Sequence, residues 1–271
     1  MYRNVGFIGC GNMGGALARA VAGSGHAQHI YLANRSSEKV EKLAAELKCD
    51  TAGNTELAGI CDLIFLGVKP QVMPALLKEI APVLMTRKDR FVLVTMAAGL
   101  TMEQIRGMAG DDYPVIRIMP NTPVAIGAGM VQMCSEGVTE AEQKDFCTLL
   151  SGAGLIDTLP ESLIDAASAV SGCGTAYMCL FMEALADGGV ACGLPRDKAL
   201  RYAAQTMLGM GRLCLESGEH PGVMKDRVCS PGGTTIQGVR ALEQGGVRGA
   251  CIEAVIAAFE KALELKKGAN K

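Results

Sequence analysis

The chain holds 271 residues, about 1.8 times the ~150 typical of one domain, so two domains or one large one is expected. Half of it is apolar (49%) at a mean hydropathy of +0.24, which excludes intrinsic disorder and leaves side-chain area for a core in each half. Twenty-six basic and 28 acidic residues give a net charge of −2, with no basic block, 4% aromatics and no Trp, which excludes the electrostatic footprint and stacking platforms of a nucleic-acid binder.

The apolar run over 176–192 is interrupted by Glu183 and Asp187 short of the ~20 residues of a bilayer span, so no membrane partner is expected. The N-terminal Met-Tyr-Arg-Asn leads directly into a strand pattern instead of a signal peptide, and the expected location is cytoplasmic. Eleven cysteines, an odd number without a CxxC pair, read as small buried thiols in a reducing compartment. With only His26, His29 and His220, no histidine cluster forms and no metal site is expected.

Taken in chain order, apolar runs of strand length at 5–9, 30–34, 63–68, 91–96 and 115–119 alternate with helical patterns at 13–23, 37–47, 71–84, 101–108 and 139–150. Thr139 and Glu142 are spaced as a capping box at the start of the last. Shorter strands at 130–134 and 155–159 finish the set. This is the signature of a doubly wound, parallel α/β sheet. Beyond Pro160 strand alternation stops, and long Ala-, Leu- and Met-rich helices are expected at 175–192, 196–215, 235–244 and 249–267. The expected division is therefore an α/β domain over 1–160 and an all-helical domain over 161–271. Two of those helices are apolar around much of their circumference, which predicts at least a homodimer built from the second domain.

The first strand ends in Gly9-Cys10-Gly11-Asn12-Met13-Gly14, a GxGxxG between strand and helix. Gly9 permits the tight turn, Gly11 lets a pyrophosphate approach the backbone, and Gly14 allows close helix–strand packing: a dinucleotide seat. Where an NAD enzyme places an acid against the ribose 2′-hydroxyl, this chain reads Asn34-Arg35-Ser36-Ser37. Arg35 and Ser36 suit a 2′-phosphate, so NADPH is expected, with NADH less preferred; the alternative is that Arg35 is a solvated loop charge, and Glu38 one turn on works against the preference. Val68-Lys69-Pro70-Gln71 and Met96-Ala97-Ala98-Gly99 end later strands on the same rim, Lys69 being either a cofactor contact or a solvated charge. The proline-bracketed segment 117–123 offers the Asn121 amide to a cofactor or substrate edge.

In the helical half, Ser230-Pro231-Gly232-Gly233-Thr234-Thr235 precedes a helix. Successive N–H groups of such a turn make an anion site suited to a small carboxylate; the alternative is an ordinary loop with Thr234 as N-cap. No general acid–base pair accompanies these motifs. Hydride transfer needs alignment and charge stabilisation more than proton relays, so the chemistry expected is reduction of an already activated acceptor such as a protonated cyclic imine.

Together these residues resemble the pyrroline-5-carboxylate reductases over essentially the whole chain. The resemblance rests on the stretches 6–14, 68–71, 96–99, 117–123, 171–177 and 183–196, and above all on 220–238, HPGVMKDRVCSPGGTTIQG. It implies NAD(P)H-dependent reduction of 1-pyrroline-5-carboxylate to proline, the closing step of proline biosynthesis, by a Rossmann domain joined to a helical dimerisation domain. The family's dimers put the active site at the subunit boundary, and some members assemble further. It further implies that Ile8, Gly9, Cys10, Gly11, Asn12, Met13, Asn34, Asn54, Val68, Lys69, Pro70 and Ala97 line the cofactor. Ser230, Gly233 and Thr234 would hold the substrate carboxylate, and Thr235 would hydrogen-bond the ring nitrogen as the catalytic side chain. Cys173 and Thr175 depart from the family's usual SGSGPAY. Two other readings are a relative of the 3-hydroxyacid dehydrogenases, with Lys225 or Lys198 as catalytic lysine, and a non-catalytic NADP(H)-binding protein.

Overall fold

The structure, a computed structural model, describes residues 2–268. Continuous apolar runs form strands buried on both faces, as a parallel sheet requires: Leu63–Leu66 and Val92–Thr95 are buried at every position. In chain order the elements are β1 (Tyr2–Ile8), α1 (Asn12–Ser24), β2 (Ala27–Ala33), α2 (Ser37–Leu47), β3 (Asp50–Thr51), α3 (Asn54–Ile60), β4 (Leu63–Leu66), α4 (Met73–Thr86), β5 (Val92–Thr95), α5 (Met102–Ala109), β6 (Val115–Pro120), β7 (Gly129–Glu136), α6 (Glu140–Leu149) and β8 (Gly154–Thr158). The helices α7 (Ile164–Ser171), α8 (Gly174–Ala191), α9 (Arg196–Ser217), α10 (Pro221–Val228), α11 (Thr234–Gln244) and α12 (Val247–Gly268) follow.

By packing, the chain divides into two compact units: residues up to 172 together with those from 259 onward, and residues 173–258. In the first, eight strands form one sheet in the order β3-β2-β1-β4-β5-β6-β7-β8. Every pair is parallel except β6 with β7. The order reverses between β1 and β4, and the carboxyl ends of these strands are where a doubly wound sheet opens its ligand crevice. On one face Phe7 stacks on Phe65 at 4.3 Å between centroids, with Phe146 6.0 Å beyond, under α1, α2 and α6. The other face buries Leu66, Leu77, Ile80 and Ile105 among α3, α4 and α5. The capping box at Thr139 forms, and a second one joins Thr101 to Gln104.

One charge lies deep in this unit. Arg117 of β6 is fully buried and donates to Glu161 Oε1 at 3.1 Å and Asp165 Oδ1 at 3.0 Å, while Lys266 Nζ lies 3.6 Å from Asp165 Oδ2. Two cations meet two carboxylates, so the cluster is neutral. Removing Arg117 alone would leave Asp165 only Lys266 and Glu161 only the Met102 N–H, and breaking such a buried pair costs about 3–5 kcal/mol.

The second unit is wholly helical among its described residues. Its interior is mostly small side chains: Ala186, Ala199 and Ala203 are buried with Met224 as the large exception, and a Cβ added at Gly189 would lie 3.3 Å from Ala199 Cβ. Most of its large apolar residues point outward instead, with Leu180 69% and Leu215 75% exposed. That inverts the usual order of a monomeric domain.

The expectation that no segment reaches membrane-span length needs correcting. Because the turn residues Gly172 and Cys173 keep right-handed helical backbone angles between α7 and α8, the stretch Glu161–Ala191 runs on for 31 residues, with a mean hydropathy of 1.3 in its most apolar window. By length and composition alone it passes for a span.

Candidate active site

The turn after β1 shows which of its glycines the fold itself demands. Gly9 has φ +97°, a region that favours glycine, and donates its N–H to Ala33 O at 2.8 Å. A Cβ there would strike the Gly67 carbonyl carbon at 2.7 Å, and one on Gly14 would lie 2.2 Å from Gly9 O. Gly11 differs. Its φ of −71° and ψ of −162° suit any residue, and a Cβ on it would meet nothing within 4 Å. Packing explains Gly9 and Gly14 but gives no reason for Gly11, whose backbone is left open to approach. Gly11 also N-caps α1 without a side chain, so the N–H groups of Asn12, Met13 and Gly14 have no intrahelical partner and point where a pyrophosphate would sit. Ile8 and Cys10 bury their side chains, so they can offer such a ligand only backbone. Burial pushes the Cys10 thiol up to about 12, which keeps it neutral.

Neighbouring strand ends bring further residues to the same rim. Register pairs Ala33 with Ile8, so Asn34, Arg35 and Ser36 emerge beside Gly9. Arg35 is exposed and pairs with no carboxylate among the described residues. Ser36 N-caps α2 yet makes no side-chain cap bond, leaving its hydroxyl available. Asn54 opens α3, and Gly53 is the N-cap. Val68 Cγ1 would lie 3.0 Å from a Cβ on Gly9, and Lys69, exposed, N-caps the 3-10 turn Pro70–Val72. Ala97 is buried at the end of β5, donating its N–H to Thr95 Oγ1 at 3.3 Å. Asn121 turns inward: Oδ1 accepts from Met130 N at 2.9 Å and Nδ2 donates to Ser171 O at 3.0 Å. Both ends of the amide expected to face a ligand are engaged by the protein. Gly67 was missed from sequence, although the small residue closing β4 opposite Gly9 is its signal.

In the helical unit, Pro231 and Gly232 form the corner of a type II turn, with Gly232 at φ +69° and Gly233 N donating to Ser230 O at 3.0 Å. A Cβ on Gly233 would lie 2.3 Å from Ser230 Oγ, so this glycine holds the turn closed. Gly233, not Thr234, is the N-cap of α11 and supplies no side-chain cap bond. The first N–H groups of that helix therefore lack protein partners, and the hydroxyls of exposed Thr234 and Thr235 have none among the described residues. Such an arrangement can hold an anion beside two hydroxyls. Nearby Lys225 is raised above its ordinary value by Asp226, 2.5 Å away, the wrong direction for a lysine that must shed its proton to act as a base. Among the described residues no group of three or more His, Cys, Asp or Glu side chains is arranged to hold a metal.

Comparison with known proteins supplies the family. A model described as pyrroline-5-carboxylate reductase dimerisation matches residues 161–265, and one described as NADP oxidoreductase, coenzyme F420-dependent, matches 4–99. The pyrroline-5-carboxylate reductase of Escherichia coli K12 is 41% identical over 271 residues, covering 98% of this chain and all of that one. The chain belongs to the pyrroline-5-carboxylate reductase family. It is thus an oxidoreductase of an NADP-using family, and the dehydrogenase and non-catalytic alternatives are not favoured. Pyrroline-5-carboxylate reductase 3 of Danio rerio is 42% identical over 96% of this chain and 91% of that one. Among solved structures, the pyrroline-5-carboxylate reductase of Coxiella burnetii superposes with a TM-score of 0.89 at 31% identity, covering 97% of this chain and 98% of that one. The Plasmodium falciparum enzyme, solved with NADP bound, superposes with a TM-score of 0.85 at 31% identity over 98% of each.

Proposed function

We propose that the protein reduces 1-pyrroline-5-carboxylate to proline, seating NADPH on the 1–160 domain and the substrate carboxylate on the turn 230–235 of the helical domain. The observation that carries the substrate half is the N-terminus of α11, where N–H groups without an intrahelical acceptor and two hydroxyls unpartnered among the described residues follow a turn closed by Ser230 and Gly233. A ligand with one carboxylate next to a ring nitrogen matches that spacing: the N–H groups hold the anion, and a hydroxyl one residue on reaches the nitrogen.

Bound over Gly11, NADPH would supply the hydride. The chain's own task is alignment and charge. As the carbon–nitrogen double bond of the protonated imine takes up hydride, the nitrogen gains a lone pair, and the Thr235 hydroxyl donates to it. Arg35 and Ser36 meet the 2′-phosphate, which accounts for NADPH over NADH. The outward-facing Leu215 of α9 and Leu180, with the rest of the apolar stretch 161–191 to which Leu180 belongs, become subunit contacts in at least a homodimer, so that stretch needs no bilayer. Eleven unpaired thiols agree with a cytoplasmic enzyme.

The carboxylate seat is tested by comparing 1-pyrroline-5-carboxylate with 1-pyrroline, which lacks the carboxylate, at saturating NADPH. Turnover of the carboxylated imine with little on 1-pyrroline is expected. Equal kcat/KM for both would overturn the assignment.

A further inference from the structure

Glu79 stands outside the coenzyme rim but holds one of its residues. Asn54 follows the N-cap Gly53, so its amide is not spent on capping α3. Instead Nδ2 donates to both carboxylate oxygens of Glu79 on α4, at 3.2 and 3.1 Å. A carboxylate only accepts, which fixes the amide: Nδ2 faces Glu79 and Oδ1 faces away. Register carries Asn54 to the rim, because Thr51 pairs with Leu32 and Ala52 N donates to Leu32 O at 3.1 Å. The chain after β3 therefore emerges beside Asn34, Arg35 and Ser36. Arg35 and Ser36 offer donors, which suit a phosphate ester. The fixed Asn54 Oδ1 is an acceptor; it suits a ribose hydroxyl and offers nothing to a phosphate ester.

We propose that Glu79 is a positioning residue for coenzyme choice: by holding Asn54 as an acceptor it favours the free ribose hydroxyl of NADH and restrains the preference for NADPH that Arg35 and Ser36 create. This rests on the coenzyme reading above. Without Glu79 the amide is free to turn and present Nδ2 to the phosphate. Glu79 is exposed on its helix, so replacing it leaves the core untouched.

The test is equilibrium titration of NADPH and NADH, followed by nicotinamide fluorescence, into Glu79→Ala, Glu79→Gln, Asn54→Ala and the double alanine variant. Glu79→Ala should raise the ratio of Kd for NADH to Kd for NADPH by about three- to fivefold, the scale of an exposed charged contact. Glu79→Gln, which keeps an acceptor for Asn54 Nδ2, should stay near the unaltered ratio. In the Asn54→Ala background, Glu79→Ala should change nothing. An unchanged ratio in Glu79→Ala would overturn the inference, as would the same shift without Asn54, which would mean that the charge acts directly. So would Asn54→Ala leaving both Kd values unchanged, though the seat at Gly11 would stand. Failure of the unaltered protein to bind either coenzyme would overturn the coenzyme reading and this inference with it.

Discussion

Two glycines three residues apart should respond in opposite ways to one added methyl. At Gly11 the backbone is allowed for alanine and the new Cβ meets no atom within 4 Å. Alanine is a poorer N-cap than glycine by about 0.5–1 kcal/mol, but the loss of unfolded-state freedom returns about 0.4–1 kcal/mol. Gly11→Ala should therefore melt within a degree or two of the unaltered protein. Its methyl projects into the open space above the turn, so the cost falls on the coenzyme: losing one charge-assisted hydrogen bond, about 1.5–3 kcal/mol, weakens NADPH about 10- to 150-fold. At Gly14 the same methyl would sit 2.2 Å from the Gly9 carbonyl oxygen, far inside contact distance and against backbone. Gly14→Ala should cost about 1–3 kcal/mol or more, lowering Tm by roughly 5 °C. Thermal melts without coenzyme, beside NADPH titrations, read both effects. If Gly11→Ala bound NADPH as the unaltered protein does, no ligand would lie over Gly11 and the dinucleotide seat would be refuted.

Thr235→Val keeps the shape of the side chain and removes its hydroxyl; kcat should fall about 10²–10³-fold with NADPH affinity intact, while Thr235→Ser retains much of the activity. A valine variant at near-normal kcat would remove the hydroxyl from the mechanism. Arg35→Ala should raise KM for NADPH and leave that for NADH nearly unchanged, and equal effects on both would refute the 2′-phosphate assignment. Glu142, bonded by Arg90 at 2.8 Å and by the Thr139 N–H, is held down to about 2 from an ordinary 4.5. Its folded value is depressed, so its contribution, about 1 kcal/mol given the half-exposed Arg90, is present above pH 4.5 and lost as pH falls toward 2. The Tm gap between the unaltered protein and Glu142→Gln, which keeps the capping geometry, should narrow over that window, and a gap constant down to pH 3 would contradict the pairing.

Where periodicity and caps agree, the elements were legible in the sequence. Helix α2 spans residues 37–47 as expected, and α6 starts at the box set by Thr139 and Glu142. The short elements were not. β3 has two residues and α3 seven, below the length at which a period can be counted, yet together they bring Asn54 to the rim. α10 opens on Pro221, which reads as a loop until its ring is seen to occupy the first helical position. The strand β7 was expected, but its antiparallel pairing with β6 follows from the short link through Asn121, which no hydrophobic pattern encodes. At the site, motif spacing was enough to list the turn residues, whereas the roles of Gly67 and Glu79 depend on contacts between distant segments. The inward engagement of Asn121 depends likewise on Ser171, fifty residues away.

Imine reduction is measured by mixing the purified protein with NADPH and 1-pyrroline-5-carboxylate and following nicotinamide absorbance while the product is assayed by chromatography. One proline should form for each NADPH consumed, with no consumption when the imine is omitted. An intact protein that binds NADPH yet consumes none, or that consumes it without forming proline, would not be a pyrroline-5-carboxylate reductase in activity.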